Sequence, residues 1–385
     1  MRDGWVEMPL NQVVEHTIGG VWGGDPNTDE VEVTVVRSTE FTKRGFLNFE
    51  NGAPRSIKSS QLKSRELKAG DVLLEKSGGG PNQPVGRVVY VTEAIPEKFV
   101  CSNFVQLVRP NSKQIEPLLL FHIMWQWHAI NRTLEFQAQT TGIRNLRTPD
   151  YMEQEIKLPS LPEQKRVVDL ISSVDSHIEA LQQQVESAKK SRNAVLHELL
   201  NRTSEKEMKP LIELAKLQRG HDLPSQDRVE GSIPVVASNG VVGSHNVYKA
   251  LKPGVVTGRS GTIGKVIYID EDYWPLNTTL YVIDFKGNIA KYVALVLETL
   301  KLENYAGGST VPSLDRNVLS QVLVPCPNME EQLRIVQIVE SIDEVVRKTE
   351  QSMAKAKLLR SGLLSDLLSG EHEIPPGYDM LMDIA

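Results

Sequence analysis

"LPSLPEQKRVVDLISSVD" (Leu158–Asp175) and "CPNMEEQLRIVQIVESID" (Cys326–Asp343) stand 168 positions apart and follow one plan. Each has a proline, an acidic residue beside a glutamine, and then apolar residues three and four apart. Proline suits the approach to a helix but not its interior, and early glutamates favour the positive N-terminal end. Beyond this start the spacing persists. In the first stretch it runs Ile171, Val174, Ile178, Leu181, Val185, Ala188, Arg192, Val195, Leu199; in the second, Val339, Ile342, Val346, Thr349, Met353, Ala356, Arg360, Leu363, Leu367. Alternate steps of three and four make a coiled-coil seam, and both seams place an arginine at the same step. About 38 residues rising about 1.5 Å each give a rod of about 57 Å, longer than one small domain needs. The plainer alternative is two amphipathic helices, each lying on its own domain.

Outward from the helices, the rest of the chain also repeats. "LKAGDVLLEKSG" (67–78) matches "LKPGVVTGRSG" (251–261), "GRVVYVTE" (86–93) matches "GKVIYIDE" (264–271), and "TTGIRNL" (140–146) matches "GSTVPSL" (308–314). The offset falls from 178 at Gly86 and Gly264 to 168 at the helices, so the first unit carries extra residues between these blocks. Val/Ile-rich alternation predicts strands broken by Gly and Pro, and "PLLLFHIMWQWHAINRTLE" and "IAKYVALVLETLK" predict helices. The expected fold is α+β: two β-rich mixed domains at 1–157 and 204–325, two long helical regions at 158–203 and 326–370, and a tail at 371–385. If the rods pair antiparallel, the first carries the chain away from one head and the second brings it back. The result is a dumbbell with a pseudo-two-fold internal repeat.

The 385 residues suffice for several cores. No apolar run is long enough to span a membrane, the N-terminal segment lacks a signal-peptide core, and two cysteines are too few for a disulfide framework or zinc site. A reducing cytoplasm is expected. The net charge of -6 argues mildly against holding nucleic acid by bulk electrostatics, so local patches matter.

A rod carrying two related, inverted heads suits a partner with inverted halves at fixed separation, and duplex DNA is such a partner. In the first head Arg37, Lys43, Arg44, Arg55 and Lys58, followed by Lys63, Arg65 and Lys68, outnumber Glu40, Glu50 and Glu66, with Phe41, Phe46 and Phe49 interleaved. That excess suits phosphate contact; a solvated face over core phenylalanines is the plain alternative. In the second head "VASNGVVGSHNVY" (236–248) and "TGRSGTIGK" (257–265) supply Ser238, Asn239, His245, Asn246, Arg259 and Lys265. Arginine and asparagine are side chains that reach guanine and adenine edges, although such residues also serve turns. Arg144, Arg219 and His221 complete the candidate DNA-binding set. No catalytic or metal residue is expected.

The Pro-Glu-Gln and Glu-Glu-Gln starts with their long helices, the "GRSGTIGK" and "SNGVVGSHN" loops, and the "GGSTVPSLDRNVL" run into "VPCPNMEEQ" resemble the specificity subunit of type I restriction-modification systems. The resemblance covers nearly the whole chain. It implies a non-catalytic subunit in which each target recognition domain reads half of a split DNA sequence and the helices set the gap. It implies two methyltransferase subunits carrying S-adenosylmethionine, and two restriction-translocation subunits using ATP and Mg²⁺, with no cofactor in this chain. Partner subunits would then supply much of the positive surface around DNA. The competing expectation is a coiled-coil scaffold without sequence preference.

Catalytic signatures come close and fail. "GRSGTIGKV" has Arg259 where a P-loop needs glycine and Val266 where it needs Ser or Thr. Pro149, Asp150, Glu155 and Lys157 follow the order of a metal-dependent nuclease but crowd into the lead-in to a helix. No HExxH pattern, dinucleotide loop or adenine-methyltransferase Pro-Pro-aromatic run is present.

Overall fold

The computed structural model describes residues 4–79, 84–92, 95–140, 143–202, 207–307, 312–370, 374 and 376–378. The "TG" at 141–142, the "GSTV" at 308–311 and most of the tail lie outside the described residues. Packing divides the chain into two units, one of residues 1–179 with 354–385 and one of residues 180–353. The long helices, Leu161–Asn201 and Met329–Ser369, each contribute one portion to each unit.

In the first unit a four-stranded antiparallel sheet runs in the order Val14–Gly19, Val105–Pro110, Val72–Glu75, Val88–Tyr90. A three-stranded sheet has Val31–Val36 at its centre, antiparallel to Ala53–Ile57 and parallel to Phe99–Cys101. The head begins and ends on one ribbon, Val6–Pro9 paired with Glu155–Leu158. The second unit repeats the plan. Its four-stranded sheet is Lys216–Arg219, Thr279–Asp284, Gly254–Gly258, Val266–Ile269. Its three-stranded sheet centres on Ile233–Ala237, antiparallel to Gly240–His245 and parallel to Trp274–Pro275. Its closing ribbon is Met208–Pro210 with Leu323–Pro325. The chain is thus a duplicated α+β fold.

The strand alternation has a cause that the sequence disguises. Val72, Leu74 and Val108 face one core with the helix Pro117–Ala129, while Leu73, Val89, Val105 and Leu107 face a second core with Val36 and Phe99. A period of two here sorts residues between two apolar cores rather than between core and water. Val255 and Val282 likewise part from Val256 and Tyr281 in the second unit.

The helix ends belong to the heads. Val167, Val168, Ile171, Leu364 and Leu367 share a core with Leu119, Leu120 and Met124; Leu196, Leu199, Ile335, Val336 and Val339 share one with Val293 and Leu297. Within each unit the two helix segments run antiparallel, and the seam arginines show why they were kept. In the first unit Arg360 holds both carboxylate oxygens of Asp175 through Nε and Nη2, with Nη2 to Oδ2 at 2.8 Å. In the second, Arg192 holds Asp343 at 2.6 and 3.3 Å and Glu298 at 2.9 Å. Arg192 and Asp343 become Arg360 and Asp175 when the 168-residue offset is applied, so each pair is the mirror of the other. All ten candidate seam residues, Ile171, Val174, Ile178, Leu181, Val185, Val339, Ile342, Val346, Met353 and Leu363, are buried or half-buried.

His122 lies in the first core with neither ring nitrogen hydrogen-bonded. Burial, helped by Arg360 and partly opposed by Asp175, pushes its imidazole down to about 4. The unfolded chain takes up that proton near pH 6.5, so stability is full above about 6.5 and falls as the pH drops toward 4. His122→Leu is expected to remove roughly 2–3 kcal/mol of the acid loss at about pH 4.5. Urea midpoints of the two proteins at neutral and acid pH give the difference; equal acid losses contradict it.

Candidate nucleic-acid interface

The loops of the second head bring several candidates together. Lys265 Nζ donates to the carbonyl of Asn239 at 2.6 Å, and the Arg259 amide donates to Thr278 O at 2.8 Å. Gly258 and Gly261 sit so close to Ser238 that a Cβ at either would touch its side chain. Asn239, Lys265, Arg259 and the following turn therefore form one patch. Asn239 and Lys265 are exposed, Arg259 is half-buried, and Ser238 is buried beneath them. Among the described residues no side-chain hydrogen bond or ion pair engages the Arg259 guanidinium. Asn246 is exposed farther along the hairpin.

Two histidines take other roles. His245 is buried, its Nδ1 accepts the Val229 amide at 3.1 Å, and its ring packs edge-on to Trp274 at 5.2 Å. An accepting Nδ1 leaves the ring as the Nε2–H form, fixed within the head. His221 Nε2 lies 3.1 Å from the Tyr281 hydroxyl, and exposed Arg219 lies 3.8 Å from Asp222.

In the first head much of the positive charge is already paired. Arg37 donates to the buried carboxylate of Glu40 at 2.7 and 3.2 Å. Burial resists the Glu40 charge, but the Arg37 guanidinium and the Thr39 hydroxyl hold its carboxyl below the usual range. Arg55 pairs with Asp25 and lies 4.4 Å over the Trp22 ring; Arg44 pairs with Glu179 of the long helix at 2.7 Å. Lys43 and Lys58 are exposed, and Arg144 is half-buried on the strand Ile143–Leu146, opposite Gly78. The matched stretches diverge at one telling point. Arg87 is held by buried Glu75 at 2.7 and 2.8 Å, whereas Lys265, its counterpart after the shared glycine, stays at the surface.

Sequence reading passed over Trp22 and Trp274, which organise these side chains. Trp274 carries Lys249 at 5.3 Å over its face and the near-perpendicular ring of His245 at 5.2 Å. Both tryptophans are isolated in loop-like sequence, with no periodicity to mark them. Among the described residues no group of His, Cys, Asp or Glu could hold a metal ion, and no helix is long and apolar enough to cross a membrane. What the patches offer is hydrogen bonding and charge.

Two heads of one topology, each closed on a long seam helix and each bearing polar loops, define a duplicated recognition subunit. Residues 2–189 and 203–358 both match the type I restriction modification DNA specificity domain. The chain belongs to that family: it is a type I restriction-modification specificity subunit with two such domains, a class that is not catalytic and needs no cofactor of its own. It is 21% identical over 406 residues to the type I restriction enzyme MjaX specificity subunit proposed for Methanocaldococcus jannaschii, covering 95% of this chain and 93% of that one. A chain from a structure of the type I R-M system superposes with a TM-score of 0.63 at 17% identity, covering 96% and 98% of the two chains. The S subunit from M. genitalium gives 0.56 at 16% identity, covering 94% and 96%.

Proposed function

We propose that this chain reads a bipartite, asymmetric DNA site, one half per head, and recruits the subunits that act there. The observation that carries the reading is the contrast between a repeated framework and unrepeated loops. The sheets, ribbons and seam pairs recur in both units, while Arg87 with Glu75 gives way to Lys265 with Asn239. A duplicated frame with different polar surfaces suits two different half-sites. Residues 1–157 and 204–325 serve as the recognition domains, 158–203 and 326–370 as the spacer.

The partners are double-stranded DNA, two methyltransferase subunits bringing S-adenosylmethionine, and two restriction-translocation subunits bringing ATP and Mg²⁺, in the cytoplasm. The DNA-facing set is led by Arg259, Asn239, Lys265 and Asn246 in the second head and by Lys43 and Lys58 in the first, joined by Arg144, Arg219, His221, Ser238 and His245. Arg37, Arg44 and Arg55 enter with their charge already shared.

Co-expression with a cognate methyltransferase, followed by single-base mapping of genomic methylation, tests the reading. A split motif modified once in each half, on opposite strands, is the expected result. A stable complex that leaves no methylation, with binding that shows no sequence preference at any salt concentration, would favour a coiled-coil scaffold instead.

The spacer makes a further expectation. Seven residues inserted after both Gln183 and Gln351 preserve the seam period and add about 10 Å, so the unspecified gap should grow by about three base pairs. A gap of unchanged length in the mapped motif contradicts the ruler.

A further inference from the structure

Gln164 and Gln332 hold the same place in the two helix starts, and each is only 1% exposed. A glutamine buried that deeply needs partners for its carbonyl and its amide. In the first unit Gln164 Oε1 accepts the Glu116 amide at 2.8 Å, while Nε2 donates to the carbonyls of Gln114 at 3.1 Å and Pro159 at 3.0 Å. In the second unit Gln332 Oε1 accepts the Ile289 amide at 3.1 Å, while Nε2 donates to Asn288 Oδ1 at 2.7 Å and the Pro327 carbonyl at 2.9 Å.

Two of the three partners are equivalent, and the third is in each case an oxygen just before the head helix, the Gln114 carbonyl in one unit and the Asn288 side chain in the other. Glu116 and Ile289 are the residues that open the head helices Pro117–Ala129 and Ala290–Thr299, and neither helix start has a side-chain cap of its own. Pro159 and Pro327 are the prolines of the repeated lead-ins. Each glutamine therefore caps the main helix of its head from the first turn of the rod and, with the same side chain, grips the chain on both sides of the joint. Apolar contacts hold head and rod together without choosing a rotation; hydrogen bonds at three fixed directions choose one.

We infer that Gln164 and Gln332 are positioning residues for DNA recognition: each sets the angle at which its head presents its loops, without touching DNA. The inference rests on the two-headed reading above. A polar group left unpaired at this joint would let the head settle at more than one angle, and a shift on the order of 1 Å is enough to spoil contacts at base edges.

The test uses the full complex with the methyltransferase and the conservative-volume variants Gln164→Met and Gln332→Met. Methylation rates are compared on the cognate duplex and on duplexes with one base pair changed in either half. Each variant is expected to lose about tenfold in discrimination at one half and less than about twofold at the other, with the two variants affecting opposite halves. General destabilisation would lower the amount of active complex and leave both discrimination ratios where they were. Unchanged ratios in a folded complex, or equal losses at both halves, overturn the assignment. A wild-type complex with no split motif refutes the two-headed reading instead. Where a variant does not assemble, amide exchange in the wild-type complex decides: Glu116 and Ile289 amides exchanging as slowly as those of the rod support the clamp, and exchange at loop rates overturns it.

Discussion

Gly220→Ala should unfold the second head. A Cβ at Gly220 would lie closer than 3.0 Å to the carbonyl oxygens of both Leu276 and Pro275. The backbone there is locked from both sides, the Gly220 amide donating to Thr279 O at 3.0 Å and the His221 amide to Pro275 O at 2.8 Å. No side chain can turn aside to make room, so the strand Lys216–Arg219 must part from its neighbours. The expected loss exceeds about 3 kcal/mol, read as a fall in the urea midpoint of the purified chain. Gly20 is the matched position, pressed on the carbonyls of Cys101 and Ser102, and Gly20→Ala should act as strongly on the first head. Gly307→Ala, where a methyl group meets nothing, should stay within about 0.5 kcal/mol. A tolerated Gly220→Ala would mean that this approach of backbone to backbone is not required.

Arg259→Ala should weaken recognition at one half-site only. Arg259 is half-buried in a loop whose Gly258 and Gly261 press on Ser238, and no carboxylate among the described residues engages its guanidinium, so the proposed base contact has two parallel donors to use. Loss of such a contact is worth about 1–3 kcal/mol, or about 5- to 150-fold in affinity, and relaxes the preference at that base pair. Competition binding with duplexes altered in one half at a time measures it. Equal losses at both halves, or none, would remove Arg259 from base readout. Arg55→Ala, by contrast, strips a cation that already sits over Trp22 and against Asp25, so its effect should show in the stability of the first head as well as in binding.

Much of the fold could be read because its signals are local. The seam from Ile171 to Leu199 needs only a period, and the second copy at Val339–Leu367 fixes it beyond chance. The sheets were harder. Val31–Val36 pairs in parallel with Phe99–Cys101, and nothing near either strand announces a partner so far along the chain. The candidate sites suffered from the same distance. Arg55 and Asp25 are 30 residues apart, and Arg44 and Glu179 are 135 apart, so a count of charges between 37 and 68 records the cations without the carboxylates that engage them. His245 reads like a surface donor among Ser, Asn and Gly, yet Trp274, far downstream, draws it inside. The glutamines at 164 and 332 were visible as part of a repeated helix start, but their partners at Glu116 and Ile289 come from the heads, which periodicity does not reach.

The division of the chain into a continuous unit, 180–353, and one assembled from both ends, 1–179 with 354–385, sets an order of manufacture. During synthesis at about 5–20 residues per second, Leu364 leaves the ribosome about 10–40 seconds after Ile171, the residue whose core it completes. Through that interval the first head has all of its sheets but lacks Arg360, Leu364 and Leu367, so the helix face bearing Val167, Val168 and Ile171 packs on its own head alone, without the second helix. The second head, begun later, receives the last of its own residues first. The half of the protein that is translated first is the half that is finished last.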